Sequence, residues 1–219
     1  MSVATDLGDP AVAAAPAALP APVALVGVTA SGKSAVALAV ARAAAGRGLP
    51  VELVSVDSMA VYREMDIGTD KPGRAVRDEV PYHLLDLVDP SVEFSVAEFQ
   101  AAAGAARSAI TGRGHGVLLV GGTGLYLRAV VDGLDIPGRF PEVAGDLDAE
   151  LDGAGPPGSS ARARAVTSLH ARLADLDPEA ARRMEATNER RIRRALEVTL
   201  GARRPFSSFG PGLDRYPPS

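Results

Sequence analysis

A chain of 219 residues suffices for one domain of ordinary size with a small appendage, and 47% hydrophobic with 23% charged residues is a globular composition. Without cysteine there is neither a disulfide framework nor a cysteine-ligated metal site, and no apolar run reaches the length of a membrane span. The net charge of −4 does not advertise nucleic-acid binding, but residues 160–204 hold eleven Arg against six Asp and Glu, leaving the remainder acidic.

Residues 1–21 are rich in Ala and Pro and have no basic residue ahead of an apolar stretch. They are expected to form a disordered extension rather than a secretory signal, which makes the protein cytoplasmic. Residues 22–134 show an α/β alternation. An apolar strand, 23–26, runs into Gly27, Val28, Thr29, Ala30, Ser31, Gly32, Lys33 and Ser34, and a helix follows that ends near 46–48. A second strand, 51–56, ends on Asp57. The stretch 58–93 reads as polar and turn-rich. A helix over 95–111 opens with a capping box, Ser95 with Glu98. A third strand, 117–120, runs into Gly121-Gly122-Thr123-Gly124, and another helix covers 125–131. Short apolar strands alternating with helices predict a parallel sheet covered on both faces, with ligands at the carboxyl edge of its strands. Residues 135–160 read as loop. Helical patterns then cover 162–174, 177–186 with Pro178 in the first turn, and 188–200 up to Gly201. The tail 203–219 reads as irregular.

The segment 27–34 spells G-x-x-x-x-G-K-S, a P-loop, and has the strand before it and the helix after it that the motif requires. Gly27 and Gly32 permit a tight turn close to an anion. The loop N–H groups and the helix N-terminus point at phosphate oxygens, Lys33 adds charge, and the Ser34 hydroxyl suits Mg²⁺. Asp57 is either a turn residue or a carboxylate facing the P-loop. The third strand ends on glycines and offers no acid, so Asp57 is the best-placed general base or metal carboxylate. Gly121–Gly124 offers further N–H donors and the Thr123 hydroxyl. Arg190, Arg191, Arg193 and Arg194 spread around one helix whose buried side is Ile192, Ala195 and Leu196; arginine throughout favours phosphate contacts. His83, His115 and His170 lack metal-ligand spacing and read as structural or surface residues.

These stretches, together with Ser55–Pro72, Pro81–Asp86, Phe94–Phe99, Val120–Tyr126 and Asn188–Val198, resemble the tRNA dimethylallyltransferases, the tRNA isopentenyltransferase family. The order of the motifs is the family order and they span nearly all of 22–204. The resemblance implies a P-loop NTPase-like α/β core made of 22–137 and 188–204, a small helical inserted tRNA-binding domain at 138–187, and an irregular tail at 205–219. It implies transfer of a dimethylallyl group from its diphosphate to the exocyclic amine of the adenine 3′ of a tRNA anticodon, in a monomeric enzyme without a membrane span. Asp57 and Thr123 would be catalytic, 27–34 would bind the diphosphate, and Ser34 would hold Mg²⁺. Asp57, Ser58, Met59, Ala60, Thr123, Arg128, Asn188, Arg190, Arg191 and Arg194 would meet tRNA. Residue 28 is Val where the family usually has Pro. Family members continue well beyond this point, so the chain is expected to be C-terminally truncated, to bind the donor with Mg²⁺, to bind tRNA weakly, and to turn over poorly or not at all. Truncation is further expected to bare apolar faces of 190–200. The alternatives are an adenylate isopentenyltransferase acting on free nucleotide, a small-molecule kinase, and a catalytically impaired tRNA-binding fragment.

Overall fold

The computed structural model describes residues 22–210. The expected extension at 1–21 and the last part of the expected tail, 211–219, lie outside the described residues. The described chain divides into two compact units: an α/β unit of 22–92 with 103–122, and a helical unit of 93–102 with 123–210.

The α/β unit is built on a four-stranded sheet of β1 (Val23–Val26), β2 (Val51–Val56), β3 (Tyr82–His83) and β4 (Gly116–Gly121), ordered β1-β4-β2-β3 with every pair parallel. β2 is buried along its whole length, the signature of a strand inside a parallel sheet covered on both faces. Side chains alternate across the sheet. Val51, Leu53, Leu118 and Val120 take one face, and α1 (Lys33–Ala45) sets Ala37 and Ala41, one helical turn apart, against them. Val54, Val56 and Leu119 take the other face and are buried as well. Ala103 and Ile110, on the part of α3 (Val96–Gly112) that belongs to this unit, have no exposed surface.

Segment 58–93 departs from its turn-rich reading, because it holds α2 (Arg74–Glu79) and β3. Six helical residues and a two-residue strand are too short to leave a hydrophobic period. β1 is an edge strand, with Val23 49% and Val26 52% exposed.

The helical unit contains α4 (Gly124–Val131), α5 (Pro141–Ala154), α6 (Ser160–Leu176), α7 (Pro178–Arg182) and α8 (Glu189–Gly201). α5 corrects the expectation of a loop over 135–160. Pro141 occupies its first turn, where a missing N–H costs nothing, and Leu147 and Leu151 form its buried stripe. The segments 123–137 and 188–204, assigned from sequence to the α/β core, belong to this unit instead. The physical reason for the second is the stripe Ile192, Ala195 and Leu196, which packs with Leu147, Leu151 and Leu169. For the same reason the expected bare face over 190–200 is absent, since Ile192, Ala195, Leu196 and Val198 are fully buried.

Side-chain caps end these helices as sequence chemistry demands. Ser95 N–H donates to Glu98 Oε2 at 2.7 Å and Glu98 N–H to Ser95 Oγ at 3.3 Å, a reciprocal capping box. Ser159, Asp177 and Asn188 cap α6, α7 and α8. No helix among the described residues is long and apolar enough to cross a membrane.

Candidate active site

Val26, Gly121 and Val56 stand in register across β1, β4 and β2. The next residues, Gly27, Gly122 and Asp57, therefore leave one edge of the sheet side by side, neighbouring strands being about 4.8 Å apart. A Cβ on Gly121 would lie 2.0 Å from Val56 O, and one on Gly122 would lie 2.9 Å from Gly27 O. Glycine at both positions is what lets β4 end between its neighbours.

The 27–34 loop turns through left-handed residues, Ala30 at φ 62° and Gly32 at φ 83°. α1 then starts at Lys33 with no side-chain cap and no acidic residue in its first turn. Its first N–H groups are left for an anion at the positive end of the helix. Lys33 Nζ lies back over the loop and donates to Val28 O at 2.5 Å and Ser31 Oγ at 3.5 Å. Ser34 is exposed in the first turn. A lone hydroxyl there suits Mg²⁺, which takes one or two protein oxygens and completes its shell with phosphate and water. Among the described residues no group of three or more His, Asp or Glu is placed to hold a metal.

Of the two readings of Asp57, the structure shows the turn. Its Oδ1 accepts the Met59 N–H at 2.8 Å, an Asx turn that orients the carboxylate. Met59 is exposed and Ser58 half-buried. The side chain of Ala60 is buried, and the residue contributes its carbonyl to the Asp86 N–H at 3.1 Å.

The remaining sequence candidates belong to the helical unit. Thr123 is the N-cap of α4 without a side-chain cap bond. Arg128 pairs with Asp132. Asn188 Oδ1 accepts the Arg191 N–H at 3.2 Å, so its carbonyl oxygen serves the helix. The arginines of α8 separate into two kinds. Arg193 pairs with Asp148, and Arg194 donates to Glu197 and to the carbonyls of Pro137 and Gly138, so both guanidinium groups brace the unit. Arg194, expected from sequence to meet tRNA, thus also has a structural role. Arg190 and Arg191 are exposed, and their side chains have no ionic partner among the described residues.

Two ionic clusters escaped the sequence reading. Glu52, 2% exposed on β2, accepts His83 Nε2 at 2.6 Å, His115 Nδ1 at 2.7 Å and Arg113 Nη2 at 2.8 Å. Burial pushes its carboxyl up, but these three donors outweigh that and hold it at about 2. Four residues of strand, roughly 13 Å, separate Glu52 from the Asp57 end of β2, so this cluster is structural. The second cluster centres on Asp86, whose carboxylate accepts Lys71 Nζ at 2.8 Å and Arg77 Nη1 at 2.6 Å. Neither carried a local signal, because each joins residues distant in sequence.

Comparison with known proteins agrees with this architecture. The family described as IPP transferase matches residues 60–217, well over half of the chain. A tRNA dimethylallyltransferase of Methylibium petroleiphilum is 48% identical over 189 residues, covering 86% of this chain and 53% of that protein. One from Burkholderia lata is 47% identical over 196 residues, covering 89% and 56% respectively. The chain thus spans about half the length of these relatives. A crystal structure of a eukaryotic dimethylallyltransferase, described as acting on tRNA, superposes with a TM-score of 0.60 at 23% identity, over 81% of this chain and 41% of that one. The last likeness shows the fold, a P-loop NTPase-like parallel sheet flanked by helices. On the family match and the architecture together, this chain belongs to the IPP transferase family.

Proposed function

We propose that the chain carries the donor side and the base of a tRNA dimethylallyltransferase site. The observation that carries this reading is the common register of Val26, Gly121 and Val56, which sends the P-loop and the Asp57 carboxylate from the same sheet edge. The loop N–H groups, the α1 N-terminus and Lys33 bind the diphosphate of dimethylallyl diphosphate. Ser34 Oγ would hold Mg²⁺, which would supply neutralisation of charge on the leaving group. The exocyclic nitrogen of adenine forms a bond to C1 of the allyl group as the C1–O bond breaks. Pyrophosphate departs with the electron pair, and Asp57 takes a proton from the amine.

Adenine reaches this edge only out of its stack, as in base flipping, and Ser58 and Met59 are the side chains placed to meet it. Exposed Arg190 and Arg191, without an ionic partner among the described residues, favour an acceptor with a phosphate backbone over free nucleotide. The enzyme acts as a monomer in the cytoplasm.

Transfer of labelled dimethylallyl to an anticodon stem-loop, to AMP, and to no acceptor tests the reading. Label on the stem-loop alone is expected. Label on AMP at an equal rate favours a free-nucleotide enzyme, and bound donor without transfer to either acceptor contradicts prenyl transfer.

A further inference from the structure

The segment that carries Ser58 and Met59 is tied down by a network with Asp86 at its centre. Ala60 O accepts the Asp86 N–H at 3.1 Å, and Val61 O accepts the N–H groups of Leu87 at 2.7 Å and Val88 at 3.1 Å. Arg63 returns the strap: its N–H donates to Val88 O at 2.8 Å, and its guanidinium donates to Asp86 O at 3.1 Å and Leu87 O at 2.9 Å. Lys71, whose side chain is 1% exposed, donates to Tyr62 O and to Asp86 Oδ1. Arg77 closes on Asp86 Oδ2 and also donates to Pro72 O at 2.7 Å. Ala60, Val61 and Arg63 are thus held on the backbone of 86–88, and Tyr62 O is held through Lys71 on the Asp86 carboxylate.

The backbone here is also strained. Glu64, Asp70, Leu84 and Asp86 all have φ between 51° and 63°, a conformation that non-glycine residues adopt only when their surroundings impose it. The adjoining cleft is lined by four cationic and four anionic side chains, and the balance of charge marks it as bracing rather than an anion site.

Resting on the prenyl-transfer reading, we propose that Asp86 is a positioning residue for the acceptor. Through Lys71, which also donates to Tyr62 O, its carboxylate fixes the 58–63 segment so that the acceptor edge is preformed beside Asp57, while Arg77 ties the other carboxylate oxygen to Pro72 O. Once the Asp86 charge is removed, the carboxylate left to buried Lys71 among the described residues is Asp66, at 3.3 Å and largely exposed. A buried ammonium left so poorly matched relaxes toward solvent and releases Tyr62 O. The P-loop shares none of these bonds, so donor binding is independent of them.

The test is single-turnover transfer to the stem-loop by the full chain, alongside pyrophosphate affinity and amide hydrogen exchange at Leu87 and Val88. Asp86→Asn keeps the shape and removes the charge. It is expected to lower the transfer rate about 10–100-fold, the cost of a displacement near 1 Å, with pyrophosphate affinity within about twofold and faster exchange at both amides. The double variant Lys71→Gln with Asp86→Asn replaces the ion pair by a neutral hydrogen bond. It is expected to recover protection and most of the rate, and it serves as the folded comparison if the single variant unfolds. Wild-type transfer by Asp86→Asn, a parallel loss of pyrophosphate affinity, or a double variant no better than the single one overturns the assignment to Asp86. A wild-type chain that transfers nothing to the stem-loop overturns the prenyl-transfer reading, and this role with it.

Discussion

Gly121 ends β4 against Val56 so closely that any Cβ on it would fall 2.0 Å from the Val56 carbonyl oxygen. Backbone is the obstacle, so no rotamer change relieves the clash. Gly121→Ala must push β2 and β4 apart at the edge from which the P-loop and Asp57 emerge. The expected cost is about 1–3 kcal/mol of stability, with pyrophosphate affinity reduced as well. Denaturant unfolding and calorimetric titration measure the two effects.

Lys33 and the exposed arginines of α8 serve different ligands in this account. Lys33→Ala weakens pyrophosphate binding about tenfold or more and leaves stem-loop affinity near wild type, since it removes a charge-assisted contact to phosphate. Arg190→Glu with Arg191→Glu does the reverse, and its salt dependence is shallower by about one unit per lost phosphate contact. Arg193→Ala, which breaks the pair with Asp148, is expected to lower stability with a smaller effect on RNA binding. Salt-series titrations on the three variants distinguish these outcomes; equal slopes for wild type and the double variant remove Arg190 and Arg191 from the interface.

Glu52 makes part of the stability pH-dependent. Its carboxyl lies at about 2 in the folded chain against an ordinary 4.5. A depressed folded value contributes stability that is fully present above the unfolded value and is lost as pH falls through the window between the two. Denaturation midpoints are therefore expected to fall between about pH 4.5 and pH 2. Glu52→Gln is expected to cost about 1–3 kcal/mol near neutrality, because His83, His115 and Arg113 lose a charged acceptor, and to flatten the acid limb. An unchanged acid limb in that variant would assign the acid sensitivity elsewhere.

The legible parts of this chain are those where one local constraint decides the residue. The P-loop needs glycine at 27 and 32 and a cation at 33, so its site is visible as a string. Ser95 with Glu98 and Asn188 ahead of α8 are readable because a helix N-terminus needs an oxygen at a fixed offset. Ile192, Ala195, Leu196 and Thr199 repeat every three to four residues, and all are buried. α5 was hidden by composition: Gly145 and Gly153 lie inside it, five acidic residues cover it, and Val143, Leu147 and Leu151, although four residues apart, are its only large apolar residues. The membership of α8 in the helical unit depends on which apolar stripe meets which, and no local pattern states that. The same holds for Asp86, whose partner Lys71 lies fifteen residues away, and for the division of the α8 arginines into braced and exposed.

The central claim is that Asp57 takes the proton from the acceptor amine beside a diphosphate held on the P-loop. Asp57→Asn, assayed for single-turnover transfer of labelled dimethylallyl to the stem-loop and for pyrophosphate binding in parallel, tests it most directly. Asparagine keeps the shape and the Asx-turn acceptor but loses the proton-accepting charge. The account predicts a transfer rate lower by a factor of about 10²–10⁴, with pyrophosphate affinity within about twofold of wild type. Transfer at the wild-type rate, or a fall in pyrophosphate affinity as large as the fall in rate, would contradict it.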